Sequence, residues 1–228
     1  SFSIGVLPIT GDGALPLAGI TDLTAFLRLP PPDHLAIGCL ASSSATEMIR
    51  LLKPGNQGKV ANLLLLPAAA YSDNTLDLLQ RHCDAEEVAI CCTRLEQHPG
   101  IYWLQGKQTP RILELSTGVQ SASFPWIDFG PARILPIAPQ VLRQPEPICA
   151  AAKQGCDLVV CSAPAFSASD RLIAGARTID NVATALCSDQ GGGIWLTPEG
   201  HGRWQEILAA PQEKCNFLLD TRRTRHKK

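Results

Sequence analysis

An α/β layered domain is what this sequence predicts, and three observations carry the prediction. Near-continuous apolar runs of strand length recur along the chain, among them Leu35 to Ala41, Asn62 to Leu66 and Asp157 to Cys161. Such runs suit strands buried on both faces. Segments with helical spacing and capping signals alternate with them, the pattern of a layered α/β architecture. Hydrophobic residues make up 45% of the 228 positions and the formal net charge is only −1. A disordered chain would be far more polar and charged.

The elements follow in order. Residues 1–33 stand apart as an N-terminal extension or the remnant of a preceding segment. Phe2 to Leu7 reads as a strand, Gly11-Asp12-Gly13 as a turn, and Asp22 as the N-cap of a short helix through Arg28. Pro30-Pro31-Pro32 ends that helix and forms a stiff junction. Leu35 to Ala41 is the first strand of the main domain, 34–220. Ser44 with Glu47 three residues on resembles a capping box for a helix carrying Met48, Ile49, Leu51 and Leu52, stopped before Pro54-Gly55. Asn62 to Pro67 is a strand, Thr75 to Cys83 a helix, Val88 to Thr93 a strand. Ile101 to Leu104 and Arg111 to Leu115 form a hairpin around Gly106-Lys107.

The second half repeats the theme. Ala132 to Ala138 is a strand, and Glu146 to Gln154 a helix closed by Gly155. Asp157 to Ser162 is a strand, and Ser169 or Asp170 to Asn181 a helix. Ala183 to Cys187 is a strand, Gly191-Gly192-Gly193 a turn, and Ile194 to Leu196 a strand. Pro198 to Gly202 reads as a tight turn before Arg203-Trp204. Cys215 to Asp220 is the last strand. Residues 221–228 read as a basic C-terminal tail.

Composition narrows the function classes. The near-neutral charge gives no general attraction to nucleic acid or membrane. No apolar run approaches the roughly 20 residues needed to span a bilayer. Ser1-Phe2-Ser3-Ile4 lacks a basic start and a long apolar stretch, so no signal peptide is expected. The chain does not begin with Met, which reads as a processed chain or a fragment. None of the nine cysteines forms a C-x-x-C or other zinc-finger spacing, so no metal and no cofactor is assigned. Most lie in apolar runs, where a thiol behaves as a small buried hydrophobe. Their odd number suits a reducing interior, and a cytoplasmic location is expected.

The order of several motifs resembles the nitrilase superfamily of carbon–nitrogen hydrolases. Leu66-Pro67 ends a strand. Phe124-Pro125-Trp126-Ile127-Asp128-Phe129-Gly130 resembles the segment before that family's nucleophile strand, and Pro145-Glu146 opens the helix after it. Gly155 to Val160, Ala176 to Asn181, and Gly192 to Gly200 resemble the strand, helix end and late hairpin that follow. The likeness covers roughly residues 35–220 and is firmest from Phe124 onward. It implies a four-layer α-β-β-α sandwich. It also implies pairing through helices near the nucleophile strand, as a homodimer or as a subunit of a larger protein complex.

The family's chemistry needs a thiolate, a carboxylate and a lysine ammonium. Carried over position by position, the glutamate falls at Ala68, the lysine at Ile112 with Arg111 beside it, and the cysteine at Ala138. Arginine is not an equivalent donor, because its fork is planar and its reach differs. No cysteine lies between Cys92 and Cys149, so a slipped alignment does not restore the nucleophile. The implied function is a catalytically inactive nitrilase-like domain acting as a structural, regulatory or binding subunit. A vestigial pocket near Ala68, Arg111 and Ala138 is implied to be more apolar than its ancestor and open to a small-molecule ligand.

Other constellations compete. An active amide or nitrile hydrolase with relocated catalytic residues would use Cys91 or Cys92, with His98 nearby in sequence. Of the two thiols only one can face a given side of the strand. His82-Cys83-Asp84 resembles a Cys–His pair but sits at a helix end. Asp73 reads as a loop or cap residue, and Lys107 as a hairpin tip. Gly191-Gly192-Gly193 lacks the lysine and hydroxyl of a phosphate loop. The basic tail Arg222 to Lys228 suits nucleic acid, an acidic partner or an anionic lipid surface, and equally a solvated tail. The rest of the chain, however, shows no basic patch interleaved with aromatics, which argues against a nucleic-acid partner.

Overall fold

The computed structural model describes residues 29–40, 61–113, 125–178, 181–190, 192–200, 203–209 and 215–225. The elements expected before Arg28, the helix after Ser44 and the far part of the hairpin arm beyond Leu113 lie outside these residues.

Two six-stranded sheets form the body. The first runs in the order β12 (Cys215–Asp220), β1 (His34–Cys39), β2 (Leu63–Ala69), β3 (Ala89–Arg94), β4 (Gly100–Gln105), β5 (Arg111–Leu113). The second runs β11 (Arg203–Ala209), β10 (Gly192–Gly200), β9 (Ala183–Ser188), β8 (Leu158–Ala163), β7 (Ala132–Ile137), β6 (Ile127–Phe129). In each sheet three central strands are parallel, β1-β2-β3 and β7-β8-β9, the strands flanking them (β12, β4, β10 and β6) are antiparallel to them, and β5 and β11 pair antiparallel with β4 and β10. The central strands are buried on both faces, which is why their sequences read as apolar runs instead of alternating.

Alternation along each strand sorts side chains into layers. Leu65, Cys91, Trp103, Val160, Ala185 and Trp195 join residues of both sheets in one core between them. Leu64, Leu66, Ile90 and Cys92 pack outward with Leu76, Leu79 and Cys83 of α1 (Asp73–Glu86). Leu135, Ile137, Val159 and Leu186 pack outward against α2 (Pro139–Leu142), α3 (Pro145–Lys153) and α4 (Ala168–Arg177). The result is the expected α-β-β-α sandwich.

Local chemistry sets the helix ends. Ser72 caps α1 by accepting from the Thr75 N–H at 3.2 Å. Pro145 opens α3, where its missing N–H costs nothing. Gly155 follows that helix at φ +83, the left-handed turn that glycine adopts without strain. The start of α4 is one or two residues earlier than expected. Ser167 accepts from the Asp170 N–H at 3.1 Å and Asp170 accepts from the Ser167 N–H at 3.0 Å, a reciprocal capping box. The helix ends at Arg177 and not near Asn181, which turns away at φ +61. Pro198 and Gly200, expected in a turn, still pair with Trp204 and Arg203 across an irregularity in the β10–β11 hairpin.

Past the expected boundary at 220/221 the described chain continues as ordered structure. Thr221–Arg225 forms a short helix, α5, packed into the body. Arg225 donates to both oxygens of the buried Asp157, at 3.1 and 2.9 Å, and to the carbonyls of Pro30 and Pro131. The Thr224 hydroxyl donates to Asp157 at 2.6 Å, and the Arg133 N–H does so at 2.9 Å. The Asp33 N–H donates to the Thr221 hydroxyl at 2.9 Å. Pro30 and Asp33 precede β1, Pro131 precedes β7, and Asp157 precedes β8. The parallel strands of both sheets therefore start at one end of the sandwich, and their C-terminal ends share the other.

Candidate functional site

That shared C-terminal end is where the two halves of the expected site stand. On the first sheet, β2 carries one extra residue between Leu65 and Ala68 relative to β3. Beyond this bulge Ala68 lies beside Thr93, Thr93 beside Ile101, and Ile101 beside Leu113. Ile101 belongs to the core between the sheets and Leu113 packs against it, so this row faces the second sheet. Ala68 and Thr93 are buried.

On the second sheet, β7 ends at Ile137, and Ala138 is the extended residue at the strand-to-helix elbow, with φ −79 and ψ 154. Its carbonyl accepts from the Val141 N–H at 3.0 Å, and Pro139 starts α2. Ala138 is buried. Across the neighbouring strands Ile137 lies beside Cys161, and Ser162 beside Cys187. Cys187 belongs to the core between the sheets, so Ser162 faces that layer too. The Cys187 thiol reaches the first sheet, donating to the Leu65 carbonyl at 3.4 Å. Tyr71, just past β2, donates to the Pro67 carbonyl at 2.7 Å. Burial, and then the nearby thiols and Asp189, push its phenol well up.

The third expected position is split. Ile112 lies opposite Tyr102, whose ring packs on the α1 side, and is 59% exposed. It therefore points away from the row of Ala68 and Thr93. Arg111 lies opposite Trp103 on the inner face, at the sheet edge. It is exposed and donates to the Trp126 carbonyl at 3.4 Å. Leu113, two residues on, completes the inner row.

The competing thiols are poor nucleophiles. Cys91 faces the core between the sheets, where burial pushes its thiol up to about 12. Cys92 faces α1, and burial raises its thiol well above the ordinary value. Cys161, beside Ile137, is raised by burial and packs in the outer layer. Each stays a protonated thiol at neutral pH, and the thiolate is the attacking form. Cys83 donates to the Leu104 carbonyl at 3.7 Å within α1's packing, and burial holds it up at about 12. Asp73 pairs with Arg94 at 2.6 Å, and Lys107 with Glu87 at 2.7 Å, both apart from the row of Ala68 and Thr93. Among the described residues no group of three His, Cys, Asp or Glu side chains could hold a metal ion. None of the helices described is long and apolar enough to cross a membrane.

Thr93, Ser162, Cys187 and Tyr71 were not singled out from the sequence. Their signal there was only that they end, or closely follow, apolar strand runs.

No protein-family model matches the sequence, and no curated protein matches it either. Solved structures do. XC1258 from Xanthomonas campestris, a CN-hydrolase superfamily protein with an arsenic adduct in its active site, matches with a TM-score of 0.61 at 15% identity. The match covers 82% of this chain and 91% of that one. Nit3 of Saccharomyces cerevisiae, a member of branch 10 of the nitrilase superfamily, matches with a TM-score of 0.60 at 16% identity, over 84% and 92%. A cysteine-to-alanine mutant of the amidase from Nesterenkonia sp. AN1, in complex with butyramide, matches with a TM-score of 0.59 at 15% identity, over 82% and 90%. At such identities the likeness speaks to architecture: this chain has the fold of the nitrilase, or CN-hydrolase, superfamily.

Proposed function

We propose that this chain is a catalytically inactive nitrilase-like domain that serves as a structural, regulatory or binding subunit of a homo- or hetero-oligomer. One observation carries the reading. The residue at the elbow between β7 and α2, where the resemblance puts a nucleophilic cysteine, is Ala138. A methyl group neither attacks a carbonyl nor carries a titratable proton. The carboxylate position is likewise Ala68, and the inner face of β5 offers Arg111 and Leu113 in place of lysine. Removing one member of a cooperating catalytic set already abolishes most of its rate enhancement.

The pocket near Ala68, Arg111 and Ala138 then serves binding. The butyramide complex of the Nesterenkonia mutant supports this, since that amidase takes a ligand with alanine in place of a cysteine. The pairing proposed runs through the outer helical layer, where Leu172 on α4 is 65% exposed.

Ammonia release from a panel of short amides and nitriles tests the reading, and none above buffer is expected. Turnover that disappears on replacing Cys91 or Cys92 would instead establish an active hydrolase with relocated catalytic residues. Light scattering of the wild type and Leu172→Glu tests the pairing. An oligomer that the substitution dissociates is expected.

A further inference from the structure

We infer that Cys39 and Cys187 form a redox site: a disulfide oxidant such as oxidised glutathione joins them in a bond that locks the two sheets together.

The placement follows from register and from one thiol's reach. Leu65 of β2 lies between Cys39 of β1 and Cys91 of β3, and all three face the core between the sheets. Cys187 of β9 enters the same layer from the second sheet. Its thiol donates to the Leu65 carbonyl at 3.4 Å and reaches the carbonyl of Leu40, next to Cys39, at 3.8 Å. The thiol therefore leans toward β1 and away from β3, and the Cys39 thiol is its hydrogen-bond partner. Cys39 and Cys91, two strands apart, stand roughly 9–10 Å from each other, beyond the limit of about 7 Å for a disulfide.

The sheets approach closely at this place. Facing sheets ordinarily stand about 10 Å apart. The inner face of β9 carries Ala183, Ala185 and Cys187, and these small side chains let Cα atoms of β2 and β9 come within 8 Å of each other. That separation is near the span of about 4.4–6.8 Å that a disulfide takes between Cα atoms.

Both cysteines are 0% exposed, and burial pushes the Cys187 thiol well up. Exchange therefore waits on opening of the sheets, which frees the thiolates. One thiolate attacks oxidised glutathione, forming a mixed disulfide and releasing one glutathione thiolate. The second thiolate attacks the mixed disulfide, forms the Cys39–Cys187 bond and releases the other glutathione. Two protein thiols lose two electrons and two protons, and one glutathione disulfide takes them up as two glutathione thiols.

Refolding the full chain from urea in a mixture of oxidised and reduced glutathione tests the site. Remaining thiols are alkylated, and peptides are mapped by mass spectrometry without reduction. One dominant link is expected, between the peptides carrying Cys39 and Cys187. The linked chain should unfold about 5–10 °C higher than the reduced chain, and dithiothreitol should reverse the gain. Cys91→Ala should leave the link and the shift in place, and Cys187→Ala should abolish both. Three results overturn the proposal: a dominant link between any other two cysteines, a refolded wild-type chain in which Cys39 and Cys187 are only free or glutathione-bound, or a linked chain whose Tm equals that of the reduced one.

Discussion

Arg225 and Asp157 form an ion pair at 2.9 Å with side chains only 2% and 0% exposed. The pair ties the C-terminal helix of one sheet's side to the start of β8 in the other. Pro30 and Pro131 carbonyls, Thr224 and the Arg133 N–H add hydrogen bonds to the pair. A buried pair of this kind is weak evidence of net stability, but breaking it strands a charge. Arg225→Met should cost about 3–5 kcal/mol and lower Tm by roughly 10 °C in thermal unfolding. The double variant Asp157→Leu/Arg225→Met should cost less than the sum of its singles. An unchanged Tm for Arg225→Met would show that the pair does not hold the sheets together.

Thr184 offers the opposite sign. It is fully buried on β9, facing the outer layer with Leu186, and its hydroxyl finds no partner among the described residues. Thr184→Val keeps the shape and removes the unpaired hydroxyl. A gain of about 1 kcal/mol is expected, read as a Tm rise of roughly 2–4 °C. A loss of stability would mean that the hydroxyl is bonded.

The thiol of Cys91 sets an alkaline limit. Its folded value is raised by burial to about 12, from 9.0. The folded state therefore holds a proton that the unfolded state has released between these values. Stability is fully present below about pH 9 and falls as pH rises through the window, by about 1.4 kcal/mol per unit for this one group. Urea midpoints at pH 8 and pH 10 check it, and Cys91→Ala should flatten the slope. The same burial should keep Cys91 and Cys92 unreactive to iodoacetamide until the chain is unfolded.

Strand β5 tests which residue faces the site. Ile112→Lys, on the exposed outer face, should change stability by no more than about 0.5 kcal/mol. Leu113→Lys puts an ammonium against the core between the sheets and should cost about 1–3 kcal/mol. Equal costs in chemical unfolding would mean the two faces have been exchanged.

Much of the architecture was legible in the chain because buried parallel strands and capped helices leave local marks. Leu35 to Leu40, Asn62 to Leu66 and Leu158 to Cys161 announced themselves by composition. The site was legible only as far as motif order reached, to Ala68 and Ala138. Ile112 illustrates the limit: a one-residue shift in a strand exchanges its faces. Only the pairing of Tyr102 with Ile112, and of Trp103 with Arg111, sets which face each takes. The brief elements β6, α2 and α5 escaped notice because three to five residues carry too little periodicity.

By itself the amino-acid order determined the alternation of strands and helices, the apolar core, and alanine at two positions where the resemblance expects reactive groups. Tertiary structure decided what those residues meet. It brought Thr93 and Ser162, 69 positions apart, to the same end of the layer between the sheets. It also turned an apparent solvated basic tail into a buried clasp, because Arg225 meets Asp157, 68 positions earlier. Contacts of that separation leave no local pattern to read, since their energy exists only once both sheets have closed.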